Sequence, residues 1–253
     1  MARSILAVFV VMLFACAPPE VVVSTADRPS IDELTAQVEL DIREFSAIKG
    51  FAKVTYRQNG DRKSAEHVII AGYPDRLRLE TLSLFGSPLM MAATDGGRSV
   101  MLFPGEGLAY VGPAGTGFLR KLARLPITTK MIVSIILRRP DILKWQDISI
   151  EYLPDGTNRL TLVDGRLSQQ IDYNQRRQMI RVVYLADDKV VSTIHYSDYA
   201  EGFPGQVDLE MRDGNARVTL DFSDLETNSQ LDAALFRLTP SSAYKILPIP
   251  DSY

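Results

Sequence analysis

The chain has 253 residues, 46% hydrophobic and 23% charged, with a net charge of −3. This composition suits one large or two small folded domains and excludes disorder; with no clustered basic residues it also lacks the footprint of a nucleic-acid binder. The single cysteine, Cys16, excludes an internal disulfide, and His67 and His195 are too few for a Cys/His metal site.

At the N-terminus, Arg3 precedes an apolar run from Ile5 to Phe14. That is the layout of a secretory signal. It is too short to span a bilayer, which takes roughly 20 apolar residues. The run ends Leu13-Phe14-Ala15-Cys16, which resembles the bacterial lipobox. The resemblance implies a signal peptide over 1–15, cleavage before Cys16, diacylation of its sulfur and acylation of the new N-terminus. Two or three acyl chains hold a protein firmly on a membrane, where one binds reversibly. Residues 16–30 then read as an acylated cysteine and flexible tether, with Pro18-Pro19 favouring extension. Position 17 is Ala rather than Asp, which in this type of sorting implies the outer membrane.

A domain is expected over 31–253. Ser30-Ile31-Asp32-Glu33 has the form of a capping box. Ile31, Leu34, Val38, Ile42 and Phe45 follow at helical spacing and predict a helix over 31–45. The period then changes to two. In 74–82, Leu77 and Leu79 alternate with Arg76, Arg78 and Glu80, a strand with one dry and one wet face. Similar strands are predicted at 47–57, 64–73, 98–103, 107–111, 147–153, 159–163, 166–173, 178–186, 189–199, 205–212 and 216–222. Turn pairs such as Asn59-Gly60, Pro104-Gly105, Asp155-Gly156 and Asp164-Gly165 separate many of them. The fold class is therefore mainly β with α: a curved antiparallel meander forming an incomplete barrel.

A helical insertion at about 113–143 interrupts the meander. Phe118, Leu119, Leu122 and Leu125 fall on one side of a first helix, with Arg120, Lys121 and Arg124 on the other. A second helix over 128–137 is apolar almost all round and stops at Arg138-Arg139-Pro140. An all-apolar helix must be buried, and the simplest place is over the barrel mouth. The lid residues expected to face the interior are Phe118, Leu122, Met131 and Ile135.

Signatures of chemistry are missing. There is no G-x-G-x-x-G, no phosphate loop and no G-x-S-x-G elbow. His67 and His195 read as strand histidines with satisfied hydrogen bonds. No catalytic residue, metal or cofactor is expected beyond the acyl groups on Cys16, and the chain reads as a non-enzyme. What is present is inward apolar surface. The residues expected to line a lipid cavity are Val54, Leu77, Leu79, Val100, Leu102, Ile148, Ile150, Val183, Leu209 and Leu220. The same positions also fit a filled core, and a barrel of this size can hold a ligand or fill itself.

The order of helix, meander, helical insertion and further strands behind a lipobox resembles the LolA/LolB superfamily, and within it the LolB-like outer-membrane lipoproteins. The resemblance is carried by Pro74 to Glu80, Leu84-Phe85-Gly86-Ser87-Pro88, Asp95-Gly96-Gly97, Phe103-Pro104-Gly105-Glu106 and Leu235-Phe236-Arg237-Leu238, and it covers residues 31–240. It implies a hydrophobic cavity under a helical lid that receives lipoprotein acyl chains from a LolA-like periplasmic carrier and delivers them to the outer membrane without ATP. In LolB proteins an exposed leucine before a glycine aids membrane insertion; here Phe85 stands before Gly86, with Leu84 beside it. This loop either projects as a membrane-inserting tip or folds back as a plug. The expected state is a lipid-anchored monomer on the periplasmic face of the outer membrane. The other function open to this sequence is a structural envelope lipoprotein or general lipid-binding module without transfer.

Overall fold

The computed structural model describes residues 28–115, 118, 127–212 and 216–249; Cys16, the leader, most of the tether, and the lid positions Leu122, Arg120, Lys121 and Arg124 lie outside the described residues. Helix α1 (Ile31–Glu44) begins as its sequence dictates. Ser30 Oγ accepts from Glu33 N at 3.2 Å, and Ser30 N donates to the Glu33 carboxylate at 2.7 Å. The reciprocal pair satisfies two donors that the first helical turn would otherwise leave open. Leu34 and Val38, one turn apart, are buried.

Six strands follow: β1 (Ala47–Gln58), β2 (Asp61–Gly72), β3 (Arg76–Leu82), β4 (Pro88–Thr94), β5 (Arg98–Phe103) and β6 (Leu108–Pro113). Helix α2 (Thr129–Ile136) comes next. Then come β7 (Asp147–Tyr152), β8 (Asn158–Asp164), β9 (Leu167–Tyr173), β10 (Met179–Ala186), β11 (Lys189–Ala200), β12 (Phe203–Met211) and β13 (Ala216–Thr227). Each meander is antiparallel, and β13 pairs with β1, so the two halves join in the middle of one sheet. A last strand, β14 (Lys245–Pro248), adds in parallel to β6 at one edge, while β7 forms the other. The sheet curves without closing.

Two strands, β4 and β14, escaped the period-two reading. In β4, Pro88-Leu89-Met90-Met91-Ala92-Ala93-Thr94 has no β-branched residue before its final threonine, and Ala92 and Ala93 are both buried. A strand covered on both faces shows no alternation. The chain end covers it. The turn Ala233–Phe236 lies across β3 and β4, Arg78 Nη1 donates to Leu235 O at 2.8 Å, and the Arg76 guanidinium stands 5.0 Å over the Phe236 ring.

Along the concave face, register lines Leu160, Ile171, Val182, Ile194, Leu209 and Val218 in one row across β8 to β13. Leu34, Val38, Tyr173, Tyr196 and Phe118 join them in the main core. Helix α1 therefore fills this half of the trough. Helix α2 covers the other half, over β2 and β3. Among the described residues, no helix is long and apolar enough to cross a membrane.

Candidate functional site: an apolar cavity beneath helix α2

The unfilled half of the trough holds a cavity of about 430 Å³, within the usual size of ligand pockets. Its walls come from four neighbouring strands: Val54 and Tyr56 on β1, His67 and Ile69 on β2, Leu77, Leu79 and Thr81 on β3, and Val218 and Leu220 on β13. Met90 adds to the floor, and Ile132 and Ile136 of α2 form the roof. The cavity opens at the β1–β2 hairpin, where Gln58, Asn59, Asp61 and Lys63 line it. The interior is thus hydrocarbon-like with a polar mouth. It matches an apolar chain entering tail first, because burial gains with every methylene and has little directional preference.

Of the ten residues expected to line it, Val54, Leu77, Leu79 and Leu220 do so. Leu209 is buried in the filled half, and Ile148 and Ile150 pack against that core from edge strand β7. Val100 and Leu102 face the other way. They form a separate outer cluster with Ala109, Leu238 and Tyr244 under the chain end, while Met101 between them points inward. From Ser99 to Leu102 β5 is buried on both faces, so its apolar run does not show which parity is inward and a one-residue slip exchanges the faces; the exposed Arg98, on the parity of Val100 and Leu102, is the one mark of the outer face. Val183 is also outward, paired with Gln170 and Thr193, and Val182 takes the inward place. A bulge between Met179 and Arg181 shifts the alternation there.

The roof differs by one step as well. Met131 is exposed, and Ile135 is buried in the main core, where Tyr196 Oη donates to its carbonyl at 3.2 Å. Ile132 and Ile136 face the cavity instead. A helix apolar on every side carries no pattern that selects one stripe. Phe118 is helical and fully buried.

Helix α2 is clasped at its C-terminus. The chain turns out of the helix at Arg138, whose φ is +54°. The Arg138 guanidinium, only 3% exposed, donates to the Glu44 carboxylate and lies 3.5 Å from Asp41 Oδ1, both on α1. It also stacks on the Phe45 and Tyr199 rings, at 5.2 and 5.8 Å. Arg139 Nη1 donates to Phe45 O at 3.2 Å. Burial pushes the Asp41 carboxyl above its usual range, and the Arg138 charge opposes that push. The roof over the cavity is therefore tied to α1 by a buried ionic cluster.

His67 is the one histidine in the cavity wall. Its Nδ1 lies 3.2 Å from Thr81 Oγ1. Burial pushes the imidazole below the ordinary histidine value of 6.5, so the ring is neutral at pH 7. Between the lowered value and 6.5 the unfolded chain binds a proton that the folded chain refuses, so stability falls as pH drops through that window. In His67→Gln this part of the pH dependence should vanish. Thermal denaturation from pH 7.5 to 5 checks it, and parallel curves for the two proteins would contradict the assignment.

The Leu84–Phe85 loop projects rather than plugs. Ser83 N donates to Ser87 O at 2.8 Å and Gly86 N to Ser83 O at 2.9 Å, while Ser83 Oγ accepts from both Phe85 N and Ser87 N. Gly86, at φ +78°, supplies the left-handed residue the turn requires. The backbone bonds are all internal, and the side chains of Leu84 and Phe85 are left 101% and 95% exposed.

A second, larger depression lies on the outer face around Arg159, Asp172 and Arg181. Its charges are spent on one another. Arg159 Nε donates to Asp172 Oδ1 and Arg181 Nε to Asp172 Oδ2, each at 2.8 Å. His195, next in this row, faces Asp208, which Arg217 and Thr219 already bond. This is a ladder stapling outer strands, and the apolar residues in its lining, Leu153 and Ile180 among them, are interleaved with its charges rather than gathered into an apolar wall. Among the described residues no cluster of three His, Cys, Asp or Glu is placed to hold a metal.

No protein-family model and no curated protein matches the chain. Solved structures do. A DUF1329 family protein from Desulfovibrio piger superposes with a TM-score of 0.54 at 14% identity, over 81% of this chain and 97% of that one. An outer membrane lipoprotein-sorting protein domain from Vibrio parahaemolyticus gives 0.51 at 9%, over 81% and 97%. A LolA superfamily protein from Nitrosomonas europaea gives 0.48 at 10%, over 83% and 99%. The likeness is one of fold, and that fold is the unclosed, helix-lined sheet that the LolA/LolB resemblance implies.

Proposed function

We propose that this protein is a LolB-like acceptor, lipid-anchored through Cys16 on the periplasmic face of the outer membrane, that takes acyl chains of lipoproteins into the cavity beneath α2 and passes them to the bilayer. It acts without chemistry on its cargo and without a cofactor other than its own acyl groups. The observation that carries this reading is the juxtaposition of an apolar cavity, open at one end, with a self-bonded loop that holds Leu84 and Phe85 in water. Each of these side chains gains about 1.5–3 kcal/mol on entering lipid. The cargo would arrive from a LolA-like carrier, and release needs only a competing apolar phase, which the bilayer is.

The test is reconstituted transfer of an acylated lipoprotein to vesicles. Phe85→Glu should leave the melting temperature within about 2 °C, since a fully exposed side chain makes no folding contact, while transfer falls at least tenfold. Unimpaired transfer would refute the role of the tip. The filled half of the trough favours a second reading, a structural envelope lipoprotein of the same shape. In that case the cavity would bind no acyl probe.

A further inference from the structure

The meander sorts its turns into two ends. Gln58 pairs with both Asp61 and Ala216, Met211 with Ala216 and Ser192, Ala186 with Lys189 and Leu167, and Asp147 with Val163. The β1–β2, β3–β4, β8–β9 and β10–β11 turns and the chain entering β7 therefore lie at one end, which is also the cavity mouth. Exposed apolar side chains gather there. Of the thirteen large ones among the described residues, seven are at or beside these turns: Leu84, Phe85, Leu89, Trp145, Leu167, Val190 and Val191. The opposite end carries Tyr73 and Tyr152, which keep polar tips. The second group is contiguous. Asp187 N donates to Arg166 O at 2.9 Å, joining the β8–β9 and β10–β11 turns, and Gln146 N donates to Val163 O at 2.8 Å beside Trp145.

We propose that the mouth end of the sheet docks on a lipid bilayer through two apolar prongs, the Leu84–Phe85 loop and a second formed by Trp145, Leu167, Val190 and Val191. This rests on the acceptor reading above. Trp145 is the residue type that settles at the headgroup level; the charges around it, Lys144, Arg166 and Lys189 against Asp147, Asp164, Asp187 and Asp188, nearly balance, with Arg166 bonded to Asp187, so the attraction is that of the apolar side chains. Two prongs on different turns fix orientation where one allows rocking, and they press the cavity mouth against the lipid. The tether length agrees. Arg28 begins at the far end, where it covers Tyr152 at 5.0 Å. The twelve residues back to Cys16 extend to about 40 Å. The longest strands are also 12 residues, about 40 Å along the strand and less along the axis of a tilted sheet. An acyl anchor at Cys16 thus reaches the plane of the prongs.

Trp145 is the chain's single tryptophan and makes the test direct. The chain from position 16 onward, carrying Cys16→Ala and so without both the apolar leader and the acyl groups, is mixed with phosphatidylethanolamine–phosphatidylglycerol vesicles. Its emission should shift to the blue and be quenched by lipids brominated on the acyl chain. Leu167→Ser with Val191→Ser should weaken vesicle binding about tenfold with the melting curve retained. Sedimentation with vesicles while Trp145 stays in water would overturn the second prong and leave the Leu84–Phe85 loop alone. An unchanged spectrum with no sedimentation would overturn both prongs. A concentration-dependent blue shift without vesicles would assign the patch to a second copy of the chain and overturn the proposal. Because Trp145 is not part of the cavity wall, binding of an acyl probe reports separately on the acceptor reading.

Discussion

Arg138→Met should destabilise the protein by about 3–5 kcal/mol, because it leaves Asp41 buried without its counter-charge. For a domain of this size that lowers the melting temperature by about 6–20 °C. The loss has a location. Arg138 ends α2, and Glu44 and Asp41 belong to α1, so the variant unfastens the cavity roof from the helix that fills the other half of the trough. Hydrogen exchange should accordingly rise first in α2. Removing both charges, with Arg138→Met and Asp41→Leu together, should recover much of the stability, since a buried pair replaced by apolar groups is often neutral. Thermal denaturation of the three proteins decides the matter. A single variant as stable as the parent would mean that the clasp holds nothing.

The second large effect separates the two faces of the sheet. Leu79→Glu should lower affinity for an acyl probe roughly 10- to 100-fold, the equivalent of losing one apolar wall residue, while the fold survives. Leu79 is only partly buried, and its row leads to the open mouth, so the carboxylate can stay hydrated. Val100→Glu should do the opposite. Val100 is 3% exposed in the outer cluster beneath the chain end, where a charge costs several kcal/mol and no ligand is near. Probe titration and denaturation of both variants check the contrast. If Val100→Glu lost binding with full stability, the inward and outward assignments would be reversed.

Why the sequence speaks clearly at some positions and not at others follows from burial. Ser30 and Glu33 announce α1 because a capping box is local chemistry. In β3, Arg76, Arg78 and Glu80 alternate with Leu77 and Leu79 and mark the outer face, although that face is half-covered by the turn Ala233–Phe236 rather than wet. At Val100-Met101-Leu102 both faces are covered, and the covering group is a chain end more than 130 positions away, which no local pattern encodes. The α2 stripe was hidden for the same reason. In β2, by contrast, Ala65, His67 and Ile69 continue a period of two into the cavity wall, a signal available in the sequence once the strand is placed. The extent of empty space was not legible, because it depends on how far α1 fills the trough, and Leu34 and Val38 would look identical at any depth.

The account depends most on the hollow beneath α2 admitting an acyl chain. A crystal structure of the Cys16→Ala protein with a fatty acid brominated near its methyl end tests this directly. The bromine should appear deep under α2, near Ile69, Leu77, Ile132 and Ile136, with the carboxyl end at the Gln58–Lys63 mouth. Bromine found only on the outer surface, with the cavity empty at saturating ligand, would contradict it.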